Sequence, residues 1–408
     1  MNSIYIDRKG KLDRIALIEG GELVEFYNDD SQKSILGNIY RGRVVNVLKG
    51  MSAAFVDIGV QKNGYLYIKD ALNKNQMYSD ESFTIDEVLK SNQQILVQVT
   101  KEPLGEKGVK LTRHLTIPSR NMVLTPFSNK VHVSKKIGNP KELIDLGEQI
   151  IRDGIGILFR TSSKDATEDI LKAEYEDLVM TYYNILKEEN YLPTPKLLYK
   201  EPGSLYGIIR DYYREGSYKI VSNDKDILEE IKESSYFEHY NFNNALIYDP
   251  EFSVDYHMDI QMGIKEGLSR RVDLKSGGYI VIDETEALSV IDVNTGSFTG
   301  ITNLQDTVLR TNIEASYEIT KQIRLRDIGG IIIVDFIDMK ETENIQKLLS
   351  IMANEFKKDK NKPYIVDITK LSLVEIVRKK TRPTLDKQNT ILCPTCGGKG
   401  RIRNNEIR

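Results

Sequence analysis

Alternation of apolar and polar residues predicts β-structure over the first part of the chain. Residues 1–34 alternate in this way and have turn signals at Gly10 and Gly20, a pattern typical of a β-hairpin. Residues 35–115 contain several short alternating stretches separated by glycines, which favours a small barrel. The polar stretch 73–90 interrupts this pattern, so we expect it to form a long loop on the barrel.

The rest of the chain mixes helical and strand patterns. The clearest amphipathic helix is predicted over 166–189, and the segment 191–204, with its prolines and lysines, is a predicted linker. Two strands are predicted over 277–294 and a helix near 311–327. The apolar run 331–337 predicts a strand buried on both faces. These patterns together indicate a multidomain α/β protein.

Composition narrows the class of protein. The 408 residues are 40% hydrophobic and 29% charged, which fits a globular chain and excludes a mostly disordered one. No apolar run approaches the roughly 20 residues needed to span a bilayer, and the N-terminus lacks a signal-peptide core, so we expect a cytoplasmic protein. The formal net charge is -3, so any nucleic-acid site must be a local patch.

Polar residues at two strand ends form a candidate metal site. Asp292 and Asn294 are two positions apart on a predicted strand, so their side chains point to the same face. Asp335 ends the later apolar strand, at the kind of edge where open α/β sheets bind ligands. If the two strands are neighbours, two carboxylates and one amide form an oxygen site suited to Mg²⁺ or Mn²⁺.

Such a site supports metal-assisted phosphodiester hydrolysis, in which the ion activates a water. The alternative is that these are ordinary polar residues that satisfy backbone groups at strand ends. Asp338 follows Asp335 by three positions, so we expect it to face the other way and to be structural.

The two cysteines, Cys393 and Cys396, lie in the glycine-rich segment CPTCGGKG. Two thiolates at this spacing can bind one ion from one side, but a structural zinc needs four ligands. The four histidines lie far upstream, so one chain supplies half a site, and two chains would supply a Cys₄ site across a dimer interface. The alternative is a redox-active pair, which usually lies at the start of a helix.

Aromatic and basic residues are candidate RNA contacts. Phe55 and Tyr65 lie on adjacent predicted strands of the barrel, and Lys107 lies beyond them. Aromatic faces stack on unpaired bases and a nearby lysine holds phosphate, although Phe55 could instead belong to the core. Arg160 and Thr161 follow the apolar strand GILF and could hold a terminal phosphate; the alternative is a solvated loop.

These residues together resemble the pattern of the ribonuclease E/G family. The matching stretches run in order from about residue 37 to 400 and include GNIYRGRV, GMSAAFVDIG, VKLTRHLTIPSR, FRTS, LKSGGYIVIDETEALSVIDVNTG, LRTNIEA, QIRLRDIGGIIIVDFIDM and CPTCGGKG. The resemblance implies that Asp292 and Asp335 are Mg²⁺-binding catalytic aspartates and that Asn294 orients phosphate. It also implies that Cys393 and Cys396 form a zinc link between two protomers.

The resemblance extends to the RNA contacts. It implies that Arg160 and Thr161 belong to a pocket that senses a 5′-monophosphate on RNA, with Lys362 near that pocket. Phe55, Tyr65 and Lys107 would then form the RNA-contact surface of an S1-type barrel. Tyr65 stands where some relatives have phenylalanine, which keeps the stacking face.

The fold implied by the resemblance is an S1/OB-type β-barrel inserted in an RNase H-like part, followed by three further parts. The expected boundaries are 1–34 and 205–270 for the RNase H-like subdomain, 35–115 for the barrel, 116–204 for a 5′-sensor subdomain, 271–388 for a DNase I-like catalytic subdomain, and 389–408 for the zinc link and tail.

The expected function is cleavage of single-stranded RNA by a Mg-activated water, in RNA processing and decay, with stimulation by a 5′-monophosphate. We expect a homodimer through shared zinc, with a higher oligomer left open, and no membrane contact. The alternative is a non-catalytic S1-type RNA-binding protein, which would not need Asp292, Asn294 and Asp335. A redox protein using the cysteine pair is a third reading.

Overall fold

The structure is a computed structural model in which the chain forms two compact units. The first unit comprises Met1–Asp29, Arg214–Glu230 and Phe242–Arg408, and the second comprises Asp30–Tyr213 and Ile231–Asn241. The residues that the structure describes are 2–10, 12–29, 34–79, 81–102, 108–189, 193–238, 240–296, 304–398 and 400.

The described strands follow the alternating segments of the sequence. In chain order they are β1 (Asn2–Lys9), β2 (Leu12–Glu19), β3 (Glu22–Asp29), β4 (Ile39–Leu48), β5 (Ala53–Asp57), β6 (Gly64–Tyr67), β7 (Gln94–Lys101), β8 (Lys110–Thr112), β9 (Ile117–Pro118), β10 (Met122–Thr125), β11 (Val131–Val133), β12 (Gly156–Phe159), β13 (Lys196–Tyr199), β14 (Tyr218–Ser222), β15 (Leu246–Tyr248), β16 (Arg271–Asp273), β17 (Tyr279–Glu284), β18 (Leu288–Asn294), β19 (Gly330–Asp335), β20 (Tyr364–Ile368) and β21 (Leu373–Arg378).

The described α-helices range from single turns to two long helices of 22 residues each. In chain order they are α1 (Ile68–Ala71), α2 (Lys74–Met77), α3 (Ile85–Val88), α4 (Lys141–Ile150), α5 (Glu168–Glu189), α6 (Ser204–Tyr212), α7 (Lys225–Glu233), α8 (Met258–Leu268), α9 (Leu304–Leu325), α10 (Thr342–Glu355) and α11 (Leu385–Asn389). None of the helices in this described part of the chain has both the length and the apolar character that a membrane crossing requires.

The first unit contains two sheets. One has the strand order β15-β14-β1-β2-β3, in which β14 joins β1 in parallel although some 200 residues separate them along the chain. The other has the order β16-β17-β18-β19-β21-β20, and its only parallel pair within the described strands is β18 with β19. The long helix α9 connects that pair, as a crossover between parallel strands requires.

Helices α9 and α10 cover one face of this second sheet. Their side chains, including Ile319 and Met352, pack with strand residues such as Ile291 and Val334 in one buried cluster. The expectation that the run 331–337 is buried on both faces is wrong. In β19, Ile332 and Val334 are fully buried but Ile331 is 49% exposed, because successive side chains of a strand alternate between the helix-covered face and the open face.

The second unit contains a closed five-stranded β-barrel, which is consistent with an S1/OB-type fold. Its strands run in the order β4-β5-β6-β8-β7, and β7 pairs with β4 to close the ring. Inward residues such as Val44, Val56 and Leu66 are fully buried, so side chains fill the barrel. A mixed α/β protein containing a small barrel, as the sequence predicts, is therefore confirmed at this level of detail.

Two loop predictions in the second unit are wrong. The stretch 73–90 contains α2 and α3, because Asn73 with Gln76 and Thr84 with Glu87 form capping boxes that stabilise single helical turns. The predicted linker 191–204 contains β13, which pairs with β4 at the barrel. The same unit also contains the sheet β11-β12-β10-β9, whose buried residues pack with α5, the helix that the sequence predicts over 166–189.

Candidate active site and RNA-contact surface

The acidic residues predicted from two separate strands lie side by side in the structure. Asp292 on β18 and Asp335 on β19 are direct register partners of a parallel pair, whose backbones lie about 4.8 Å apart. Both residues are exposed on the open face of the sheet. The register brings two carboxylates, 43 residues apart in the chain, to one point at the carboxyl ends of the two strands.

Asn294 completes this group at the end of β18. Its Nδ2 donates a hydrogen bond to Oδ2 of Asp292 at 2.8 Å, so the two side chains share a face as the spacing predicts. Two residues on, Gly296 has a φ of 60°, and a Cβ there would lie 2.3 Å from the Gly277 carbonyl oxygen. The turn after Asn294 therefore requires glycine, because a side chain would clash with the backbone.

The Asp335 carboxyl is repelled by the negative charges of neighbouring acidic residues. Burial raises the pKa of the Asp335 carboxyl, and the negative charges of Asp292 and Asp338 raise it further. Asp338 is close enough to Asp335 for its charge to act on that carboxyl, and the expectation that it faces away from the pair stays a prediction. The strand ends at Asp335, so strand alternation does not determine the side on which Asp338 lies.

A buried asparagine anchors the segment that carries Asp338. Asn312 on α9 is fully buried and donates from Nδ2 to the Ile337 carbonyl at 2.7 Å, while the Ile337 N–H donates to Asn312 Oδ1 at 3.1 Å. This paired contact sets the path of the chain just after β19. The sequence reasoning missed Asn312, because α9 also buries other polar residues, such as Thr311 and Ser316, and the pattern does not single Asn312 out.

The oxygen atoms at this point suit a hard divalent cation. Mg²⁺ typically binds one or two carboxylates together with substrate phosphate and water, and a cation would relieve the repulsion among three neighbouring carboxylates. Within the described residues, no group of three or more His, Cys, Asp or Glu side chains is arranged as a complete metal site. The fit to a cation thus depends on two aspartates and on ligands from outside the chain.

The barrel presents the predicted aromatic residues on its outer surface. Phe55 on β5 and Tyr65 on β6 are direct cross-strand partners, and both are partly exposed. Phe55 is therefore not a core residue, because the strand alternation buries Ala54 and Val56 instead. Lys107, the third predicted contact on this surface, lies outside the residues that the structure describes.

Arg160 and Thr161 lie where β12 passes into a short 3₁₀ helix, Thr161–Asp165. Arg160 donates to the Ser119 carbonyl at 2.9 Å and to Asp211 at 2.6 Å, and its side chain is 27% exposed. The Thr161 hydroxyl lies 3.0 Å from the Ser134 hydroxyl. These two residues are adjacent and partly accessible, but Arg160 already has a carboxylate partner that was not predicted.

That carboxylate is firmly ionised. Burial acts to raise the pKa of Asp211, but the guanidinium groups of Arg210 and Arg160 outweigh it and hold the pKa at about 2. A phosphate that binds Arg160 must therefore share the guanidinium with Asp211.

Lys362 lies in the first unit, in the turn before β20, whereas Arg160 belongs to the second unit. Its place in a phosphate pocket stays a prediction.

The cysteine pair lies near the end of the described chain. Cys393 is exposed and Cys396 is partly exposed, and both are free thiols. The backbone N–H of Cys396, together with hydrogen bonds from Thr395, lowers the pKa of the Cys393 thiol. The Gly400 N–H donates to Cys396 Sγ at 3.3 Å, so backbone amides face both sulfur atoms in a glycine-rich turn.

Comparison with known proteins finds relatives along nearly the whole chain. The model of the Ribonuclease E/G family matches residues 116–381. Ribonuclease G of Haemophilus influenzae is 37% identical over 404 residues, which cover 96% of this chain and 82% of that protein. Ribonuclease G of Escherichia coli is 35% identical over 412 residues, covering 96% and 83%. Ribonuclease E of Synechocystis is 36% identical over 392 residues, covering 92% and 58%.

Proposed function

Because this chain belongs to the ribonuclease E/G family, we propose that it is an endoribonuclease that hydrolyses phosphodiester bonds in single-stranded RNA. The observation that carries the proposal is the register pairing of Asp292 with Asp335 on two parallel strands. A protein that only binds RNA does not need two acidic side chains at one exposed strand end, next to a third acidic residue. The expected role is in RNA processing and decay.

Each residue of the acidic group has a distinct role in the proposed reaction. Asp292 and Asp335 would hold a divalent cation, Mg²⁺ or Mn²⁺, through their carboxylate oxygens. Bound there, the cation would supply an activated water and would offset charge on the scissile phosphate. Asn294, held against Asp292 by its hydrogen bond, turns its amide toward the phosphate and orients it. The products are then a 5′-phosphate end and a 3′-hydroxyl end.

The proposed domain roles follow the family. The barrel at 35–115 contacts RNA through Phe55, Tyr65 and Lys107, and the segment 271–388 forms the catalytic part. The RNase H-like part is split between 1–34 and 205–270, and the presence of β1–β3, β14 and β15 in one sheet supports this division. The segment 116–204 supplies the 5′-sensor.

The test of the function is incubation of the purified protein with a 5′-labelled single-stranded RNA, with and without Mg²⁺. We expect internal cuts that need the cation, and little cutting of the same sequence held in a duplex. Binding of the RNA with no cleavage under any divalent cation would instead support the non-catalytic alternative.

Arg160 is the proposed reader of a 5′-monophosphate, and replacing it tests that role. In wild type we expect faster cleavage of 5′-monophosphate RNA than of 5′-hydroxyl RNA, because a guanidinium binds phosphate through charge-assisted hydrogen bonds. With Arg160→Ala the ratio of the two rates should fall to about one, while cleavage of 5′-hydroxyl RNA persists. Asp211 keeps Arg210 as a partner in this variant, so the local structure should hold.

The matched control is Lys164→Ala, which removes an exposed cation from the same 3₁₀ helix. This control should keep the wild-type ratio of the two cleavage rates. An Arg160→Ala protein with an unchanged preference for 5′-monophosphate RNA would remove the sensing role from Arg160.

A further inference from the structure

A row of outward-facing residues crosses four neighbouring strands of the barrel. Asn46 on β4 pairs with Phe55 on β5, Phe55 pairs with Tyr65 on β6, and Tyr65 pairs with Lys110 on β8. Residues in register lie side by side, so this row forms a continuous strip on the barrel surface. The strip contains the two predicted stacking residues and ends at a lysine that the sequence reasoning did not single out.

Tyr67 widens this strip at its lysine end. It lies two positions after Tyr65 on the same strand, so both rings point outward, while Leu66 between them is fully buried. The two rings meet edge to face with centroids 5.4 Å apart. Tyr67 is 43% exposed, so much of its ring is available to a ligand.

Lys110 places a positive charge beside both tyrosines. Its Nζ lies 6.0 Å from the centroid of the Tyr67 ring and 2.8 Å from an Asp70 carboxylate oxygen. Its side chain is 28% exposed. An ammonium in this position can reach a phosphate that follows a base stacked on Tyr67.

We infer that Tyr67 and Lys110 form a second nucleotide position on the barrel, next to the one at Phe55 and Tyr65. Tyr67 stacks on an unpaired base and Lys110 contacts the adjoining phosphate, so the barrel holds two consecutive nucleotides of single-stranded RNA. This inference rests on the proposed function, since it extends the same RNA-contact surface. Stacking of this kind tolerates any base, because every base has a π face.

The competing explanation is that Tyr67 only stabilises the sheet through its contact with Tyr65. Aromatic pairs on one face of a sheet are common and contribute modestly to stability. That role predicts a lower melting temperature when Tyr67 is replaced, with no change in RNA affinity. The two explanations therefore differ in a binding measurement and in a spectroscopic one.

The spectroscopic test uses the absence of tryptophan from the chain. A Tyr67→Trp variant carries a single tryptophan, whose fluorescence a stacked base should quench. The probe is an unstructured oligoribonucleotide without added divalent cation, so that it binds without being cut. Tyr78→Trp is the matched control, because Tyr78 is 52% exposed but belongs to none of the strands that carry the strip. We expect quenching at position 67 and none at position 78.

The affinity test compares Tyr67→Ala with Tyr67→Phe. We expect Tyr67→Ala to weaken binding of the same oligoribonucleotide about tenfold, and Tyr67→Phe to bind like wild type, because the ring and not the hydroxyl makes the contact. Lys110→Ala should lower the slope of log affinity against log salt by about 0.7, as loss of one contact to single-stranded phosphate requires.

The outcomes separate this inference from the function on which it rests. If wild type binds RNA and Tyr67→Ala binds it with the same affinity, the second nucleotide position is wrong. The same conclusion follows if RNA does not quench the fluorescence of Tyr67→Trp. Either result leaves the nuclease proposal intact. An unchanged salt slope in Lys110→Ala removes the lysine from it. If wild type itself neither binds nor cuts single-stranded RNA, both the inference and the proposed function are wrong.

Discussion

Asp292→Asn and Asp335→Asn should each abolish RNA cleavage while leaving RNA binding intact. Each change removes one negative charge from the pair that is proposed to hold the cation, and keeps the size of the side chain. A metal ion contributes several kcal/mol of stabilisation to a developing negative charge, so the rate should fall on the order of a thousandfold or more. The measurement is the single-turnover cleavage rate of a labelled RNA at saturating Mg²⁺.

Binding should survive these substitutions because the predicted RNA contacts lie on the barrel, in a separate compact unit. The folds should also survive, since both carboxylates are exposed and neither fills the core. Asp283→Asn is a matched control, because Asp283 is an exposed acidic residue of β17 that pairs with Arg270. That control should cleave at the wild-type rate. Cleavage at full rate by Asp292→Asn or Asp335→Asn would refute the assignment.

Replacement of Cys393 or Cys396 by serine should convert a zinc-linked dimer into monomers. One chain offers two thiolates, with backbone amides facing both sulfurs, and two chains would together supply the four ligands of a tetrahedral zinc site. Structural zinc contributes on the order of 10 kcal/mol of binding free energy, so the protein without zinc should be monomeric at micromolar concentrations. Sedimentation velocity gives the mass, and metal analysis should find one zinc per two wild-type chains.

A substitution outside the thiol pair controls for disturbance of the chain end. Thr390 follows the last residue of α11, and Thr390→Ala removes a hydroxyl that donates to Asp386, so this variant should stay dimeric with its zinc. A metal-free wild-type protein with a reversible disulfide between Cys393 and Cys396 would support the redox reading instead. A dimer that persists without zinc would place the interface elsewhere.

The types of the long elements follow from the sequence because their periodicities are strong. The helical pattern at 166–189 became α5, and the two strands predicted over 277–294 became β17 and β18. The pattern of apolar and polar residues predicts short elements less well, because particular hydrogen bonds determine whether they form. The single helical turns α2 and α3 depend on capping side chains, and β13 forms because β4 offers it a pairing partner.

The candidate site shows the same limit. Alternation places Asp292 and Asn294 on one face, but only the parallel pairing of β18 with β19 brings Asp335 beside Asp292, and no local pattern specifies that register. Strand alternation ends with β19 at Asp335, so it carries no information about the direction of Asp338. Asp211 was missed as the partner of Arg160 because 51 residues separate them in the chain.

The most direct test of the central claim is a count of bound divalent ions. Mn²⁺ is titrated into wild type and into the double variant Asp292→Asn with Asp335→Asn, and free Mn²⁺ is measured by electron paramagnetic resonance. We expect the double variant to bind one ion fewer per chain than wild type. Equal binding by the two proteins would contradict the claim that these two carboxylates hold the cation.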